Sequence, residues 1–126
     1  MVAESTTILF DFQKLEVYKK AQVFYVGCRA ITKDKSLERH VRDQLSRASY
    51  SVVLNIAEGS GRKSPADRKN FFTISRASVF ECVAILDLLR HENSIQIQTH
   101  NTQLQLASEI SKMLYTMIRN LSNERQ

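Results

Sequence analysis

With only three glycines and one proline among 126 residues, this chain has few places to turn. Sandwiches and barrels place a turn signal every ~8–12 residues, so those folds are excluded and long helices joined by few, short links are expected. Hydrophobic residues at 43% and charged residues at 25% are ordinary globular values, which excludes a disordered chain, a collagen-like repeat and a disulfide scaffold. The length suits one core. A single domain over residues 1–126 is expected, with flexible ends near 1–10 and 123–126.

Apolar residues recur at helical steps in four stretches. Leu15, Tyr18, Ala21, Phe24, Cys28 and Ile31 mark a helix near 13–32. Leu37, Val41, Leu45, Ala48, Val52 and Ile56 mark a second near 37–58, with Ser36 as its N-cap and Gly59 as a terminator free to take positive φ. Ser64-Pro65-Ala66-Asp67 has the chemistry of a helix start: a capping hydroxyl, a proline where no N–H is needed, and an acid facing the helix dipole. This third helix runs near 65–91. After a polar loop, Glu92 to Asn101, Leu104, Ala107, Ile110, Leu114, Met117 and Leu121 mark a fourth near 102–122. Short links make sequential helices neighbours, so the expected fold is all-α, an antiparallel up-down-up-down four-helix bundle.

Periodicity alone gives one apolar stripe per helix, yet nine of the eleven residues from Val79 to Leu89 are apolar, Glu81 and Asp87 being the exceptions. Tyr50 to Ala57 and Ala21 to Ile31 are similarly rich. An isolated bundle would leave part of this girdle in water, as patches larger than a soluble monomer usually carries. A homo-oligomer is therefore expected. Cys28 and Cys82 fall in these stretches with no CxxC pattern, which favours reduced, buried thiols over an incidental disulfide and gives no zinc or redox motif. No basic leader with an apolar core opens the chain, and no run of ~18 apolar residues occurs, so a soluble, cytoplasmic protein is expected.

The formal charge of +5 is unevenly placed. Between Lys33 and Arg76, ten basic residues face five acids, which accounts for the whole excess; within Gly59 to Arg76 the count is five to one. Arg39, Arg42, Arg47, Arg62, Lys63, Arg68, Lys69 and Arg76 are the candidate contacts to a polyanion, and an oligomer would repeat them about its axis. The alternative is that these cations are simply the solvated faces of helices. Phe71 and Phe72, the nearby aromatics, suit the core better than base stacking, so binding would be led by phosphates and sensitive to salt.

The least generic stretch is Asn55-Ile56-Ala57-Glu58-Gly59-Ser60-Gly61-Arg62-Lys63-Ser64. Ser51, Asn55 and Glu58 form a polar stripe beside the apolar one, and Glu81 sits among apolar neighbours. Unpaired buried polar groups cost about 1–3 kcal/mol each, so Asn55, Glu58, Arg62 and Glu81 are expected to find partners in a polar network that sets register or subunit contacts. Arg62 or Arg76 would serve the carboxylates and Asn55 the backbone. Gly59 and Gly61 end one helix and turn toward Ser64 rather than cradle a phosphate, since no GxxxxGK[ST] pattern is present. No histidine, His40, His91 or His100, follows a glutamate by three residues, so the ExxH ligands of di-iron bundles are missing and no metal or cofactor is expected. Asp87 and His91 suit a surface pair at a helix end, and Ser64 a cap rather than a nucleophile. No enzymatic activity is expected.

The stretch Asn55 to Ser64 resembles the central motif of the bacterial four-helix-bundle family of ribosomal-RNA intervening-sequence proteins. Phe12 with Leu15 to Ala21 resembles its opening helix, and Ser75 to Glu81 its third-helix segment. The resemblance covers roughly residues 12–121 and implies an up-down bundle, commonly a pentamer, with no established enzymatic activity. It also implies kinship with accessory proteins of diversity-generating retroelements, thought to bind nucleic acid and a reverse transcriptase. Two departures stand out: no proline precedes Asn55, and the segment before the fourth helix is unusually rich in Gln, Thr and Asn. The expected function is a non-enzymatic oligomer binding RNA or DNA through its basic flank, with a reverse transcriptase or other protein as a possible partner; the alternative is a protein-interaction or structural module without a nucleic-acid role.

Overall fold

The computed structural model describes residues 7–124, so of the ends expected to be flexible, 1–10 and 123–126, residues 1–6 and 125–126 lie outside the described residues. Four helices account for nearly all of it: α1 Glu16–Thr32, α2 Arg39–Ser60, α3 Pro65–His91 and α4 Ile97–Glu124. Each packs on its neighbours in chain order, and α1 closes the square against α4 along the sparsest of the four seams. No Cα pair within 8 Å joins the diagonal helices α1 and α3, or α2 and α4. This is the up-down bundle expected from the short connections.

The helix ends differ from the expected ones in instructive ways. α1 starts at Glu16 rather than near 13, because Leu15 is extended and Asp11–Lys14 form a separate 3-10 turn. Gln13 Oε1 secures that turn by accepting hydrogen bonds from the Leu9 and Phe10 amides at 2.9 and 2.8 Å. Ser36 does not cap α2. It donates its amide and hydroxyl to Asp34 Oδ1, at 2.9 and 2.7 Å, and Glu38 takes the cap position without a side-chain bond. Ser64 does cap α3, accepting from the Asp67 amide at 3.1 Å with Pro65 beside it. α4 begins at Ile97, five residues before the expected start, so much of the polar loop is helix. Asn93 at φ 58 turns the chain between α3 and α4, and the Ser94 amide donates back to Leu89 O at 2.8 Å. Asparagine tolerates this left-handed conformation better than most residues.

Gly59 overturns its expected role. It lies inside α2, buried, and no described glycine has positive φ; the C-cap is Gly61 at φ −86. A Cβ at position 59 would stand 2.8 Å from the Phe72 ring and 3.0 Å from Phe71 Cβ. Gly59 thus supplies close approach of α2 to α3 rather than a turn.

The core is formed by Phe24, Leu45, Val52, Ile56, Phe72, Leu86, Ile110 and Leu114 with others of the same stripes. Burying each large side chain contributes about 1.5–3 kcal/mol. Cys28 and Cys82 are both free and buried. A disulfide needs Cα atoms roughly 4.4–6.8 Å apart, and α1 and α3 have no Cα pair within 8 Å, so the two thiols cannot bridge without backbone movement. The neighbouring Cys28 thiol and burial hold Cys82 well above the ordinary thiol range, leaving it un-ionised.

The girdle read from the sequence does reach the surface. Val23 and Val26 on α1 and Tyr50 and Leu54 on α2 are 59%, 65%, 53% and 49% exposed. On the opposite side of the square, Phe80 of α3 and Tyr115 of α4 are each 53% exposed. Among the described residues, no helix is long and apolar enough to cross a membrane.

Two opposing effects meet at Gly59. Helix propensity favours Ala by about 1 kcal/mol, whereas forcing a methyl into a packed seam costs typically about 1–3 kcal/mol. With the ring at 2.8 Å, overpacking wins, and Gly59→Ala is expected to destabilise by about 1–2 kcal/mol in urea unfolding. Gly61→Ala, whose Cβ would meet nothing closer than 3.7 Å, is the control and is expected to be neutral or mildly stabilising. Equal effects at both positions would remove the close-approach account.

Candidate nucleic-acid interface

The seam between α2 and α3 gathers the polar stripe. Asn55 Nδ2 donates to Ser51 O and Ser51 Oγ at 2.9 and 3.0 Å, and Ser51 Oγ lies 2.8 Å from Ser78 Oγ across the seam. Deeper in, the buried Ser75 donates to Val52 O at 2.8 Å. Small hydroxyl side chains let the helices approach while satisfying each other, so polar groups enter the packed seam at little cost. Glu58 and Arg62 form a separate, exposed pair at 2.6 Å, and the Arg62 guanidinium lies 4.7 Å from the Phe71 ring centre. An exposed pair one turn apart contributes only about 0.3–0.5 kcal/mol, so this one orients Arg62 more than it stabilises the fold. The sequence motif therefore divides into a serine–asparagine chain inside the seam and an ion pair at its end.

Glu81 joins neither part. It is exposed, facing a cleft of 580 Å³ between α2 and α3 whose walls include His40, Asp43, Arg47 and Ser78. No hydrogen bond or ion pair to Glu81 occurs among the described residues. Arg76, one of its expected partners, points the other way: its Nε donates to Ser111 O on α4 at 3.1 Å, with the guanidinium 4.8 Å from Phe80 and 5.4 Å from Tyr115.

The eight candidate cations are thus not one flat flank. Arg62, Lys63, Arg68 and Lys69 surround the junction of α2 and α3 next to the capped Ser64, where α3 also directs its dipole's positive end. Arg47 lines the cleft along the α2–α3 seam, and Arg39 is exposed near the start of α2. Arg42 folds back, donating through Nε to Leu37 O at 3.2 Å. Arg68 is half-buried, and its Nε has no hydrogen-bond partner among the described residues. Of the eight, only Arg62 takes part in an ion pair among the described residues.

The expected Asp87–His91 pair does not form. Asp87 Oδ1 lies 2.9 Å from His100 Nε2 on α4, and His91 is exposed. Two functional-grade side chains escaped the sequence reading. Ser75 occupies a core step of α3 where an apolar residue is the ordinary choice, and that substitution was its signal. Gln103 is 4% exposed, and its Nε2 donates to Phe24 O at 2.9 Å and lies 3.4 Å from Cys28 Sγ. Its position within a polar run hid it. Among the described residues no cluster of His, Cys, Asp and Glu could hold a metal ion.

Similarity to known proteins agrees with this architecture. A solved structure of a protein with unknown function from the S23 ribosomal protein family of Bacteroides thetaiotaomicron superimposes with a TM-score of 0.77 at 26% identity, covering 81% of this chain and 97% of that one. No curated protein of assigned function shows significant similarity to this chain. The link to retroelement accessory proteins has no counterpart in either match. The family model described as 23S rRNA-intervening sequence protein matches residues 13–116, from the turn before α1 to well into α4, and the chain belongs to that family.

Proposed function

We propose that this protein is a non-enzymatic, homo-oligomeric bundle that binds RNA through phosphate contacts, with DNA as a weaker ligand of the same surface. The observation that carries the reading is electrostatic: seven of the eight candidate cations make no ion pair among the described residues, although acids are plentiful elsewhere on the chain. Three of the seven, Lys63, Arg68 and Lys69, stand at the α2–α3 junction beside Arg62, and unneutralised cations gathered there raise the local potential and attract a polyanion, releasing its counterions. Membership of a family described by an intervening sequence of 23S rRNA favours RNA as that polyanion. Ser64, beside these cations at the start of α3, already accepts the Asp67 amide as a cap, which supports binding rather than nucleophilic chemistry.

Assembly follows from the two apolar surfaces. Val23, Val26, Tyr50 and Leu54 cover the α1–α2 side, and a groove of 720 Å³ around Phe80, Val83 and Leu104 runs along the α3–α4 side. These sides are opposite in the square, so one copy's α1–α2 side meets the next copy's α3–α4 side in a head-to-tail contact, which makes a ring where the rotation between copies closes. A pentamer is the ring size that the family resemblance favours. The cations between the two sides then recur once per subunit.

Light scattering at micromolar concentration is expected to give a multiple of 14.5 kDa, with Leu54→Glu and Phe80→Glu each lowering it. A monomer mass for the unaltered protein would remove the assembly.

For binding, fluorescent single- and double-stranded RNA and DNA are titrated across salt concentrations. Affinity is expected to fall steeply with salt, and an Arg62→Ala/Lys63→Ala/Arg68→Ala variant is expected to bind less tightly. Its log–log salt slope is expected to be shallower by up to about 2–3, since each lost phosphate contact removes about 0.9. Absence of binding at low salt would leave the second reading, an interaction module whose charges serve only solubility.

A further inference from the structure

Three consecutive apolar residues ahead of the bundle are used neither by its core nor by its two apolar sides. Ile8, Leu9 and Phe10 are all exposed, Phe10 by 61%. Their backbone is nonetheless held in place. Gln13 Oε1 accepts both the Leu9 and the Phe10 amide, and Phe12 sets its ring edge-on to Tyr18 of α1, with centres 4.9 Å apart. The rings of Phe10 and Phe12 have centres 6.0 Å apart and planes 25° from parallel. Ordering an exposed aromatic pair costs conformational entropy that its own burial does not offset, so a partner that covers the rings is expected.

The position of the turn narrows what that partner is. Phe12 lines a cleft of 540 Å³ whose other walls are Leu54, Ala57, Glu58, Gly61 and Arg62, at the end of α2. The aromatic pair therefore stands beside the basic junction. Lys63 is next in the chain, exposed and without an ion pair among the described residues. Charges on the turn itself cancel, since Lys14 and Asp11 approach each other to 4.0 Å.

A second copy of this chain suits the cleft poorly. An apolar face pressed onto it would desolvate the Glu58–Arg62 pair, and charged residues are depleted from the middle of protein interfaces. A single nucleic-acid strand is complementary, because it presents flat base faces and anionic phosphates together, and sites for such strands combine aromatic side chains with a positively charged groove. In a duplex the bases stack on one another, which closes their faces to a side chain.

We propose that Phe10 and Phe12 form a stacking platform for unpaired bases of single-stranded RNA, whose phosphates are held by Arg62 and Lys63. The platform rests on the reading of the α2–α3 junction as an RNA surface, and adds to it contacts that only an unpaired base can make.

The test compares three labelled ligands of the full-length protein by fluorescence anisotropy: a short single-stranded RNA of mixed sequence, the same strand with abasic central positions, and its duplex. The abasic strand keeps every phosphate. The unaltered protein is expected to bind the intact strand about fivefold or more tighter than the abasic one, and Phe10→Ala to lose about that factor on the intact strand while keeping its affinity for the abasic strand and the duplex. Phe10→Trp is expected to restore the preference, and light scattering to give Phe10→Ala the mass of the unaltered protein. Equal affinity for intact and abasic strands, or equal losses on both in Phe10→Ala, would overturn the platform. Salt-dependent binding that Arg62→Ala/Lys63→Ala/Arg68→Ala still weakens would then leave the phosphate reading standing. A lowered mass in Phe10→Ala with unchanged RNA affinity would show that a second copy covers the turn, and would overturn the platform as well. No binding of any strand at low salt would remove both readings.

Discussion

The approach of α2 to α3 sets the geometry on which the other features depend. Side chains normally hold packed helices 8–10 Å apart, and this seam is lined with glycine and serine where bulk would be ordinary. Gly59 leaves room for the Phe72 ring, while Ser75 and Ser78 each place a hydroxyl where a methyl would be unsatisfying to the facing polar atoms. Because Ser75 donates to a backbone carbonyl of α2, the axial register of the two helices is fixed by a directional bond as well as by shape. The short link from α2 to α3 then has one geometry available, and Ser64 caps α3 within it. The cations around that link inherit their positions from the seam.

The opposite seam is built by different means. Between α1 and α4 the backbone approach is sparse, and long side chains span the gap: Lys20 to Glu109 at 3.0 Å near one end, Gln103 to Phe24 O near the other. Gly27 serves here as Gly59 does on the other side, by lacking a Cβ, but it admits a carboxamide instead of an aromatic ring. A cavity of 460 Å³ lies along this looser seam, and the cleft of 580 Å³ along the other.

What the sequence made legible follows from which signals were local. The start of α3 was readable because Ser64, Pro65 and Asp67 are adjacent and their capping chemistry depends on nothing distant. Gly59 was misread because its reason for being glycine lies in Phe72, thirteen positions away and on another helix. The first turns of α4 were missed for a related cause. The half-buried positions of those turns are Thr99 and His100, with Gln103 next along the same side, so the apolar period that reveals a helix is missing there. The same division holds at the candidate interface. Which residues carry positive charge is a matter of composition, but that Arg76 is stacked between Phe80 and Tyr115, or that Arg42 bonds Leu37 O, depends on neighbours the linear pattern does not specify.

The placement of the two apolar sides also constrains the symmetry of any assembly that covers them. A two-fold dimer buries the same patch on both subunits. It would hide either Val26 and Leu54 or Phe80 and Tyr115, and leave the opposite set in water. A chain of head-to-tail contacts buries both sets on every subunit, and closing that chain into a ring leaves no terminal copy with a bare face. Within such a ring the α2–α3 seam and the α1–α4 seam point to opposite surfaces, because each occupies one of the two remaining sides of the square. Cations along the α2–α3 seam would then recur on one surface of the ring, away from the α1–α4 seam.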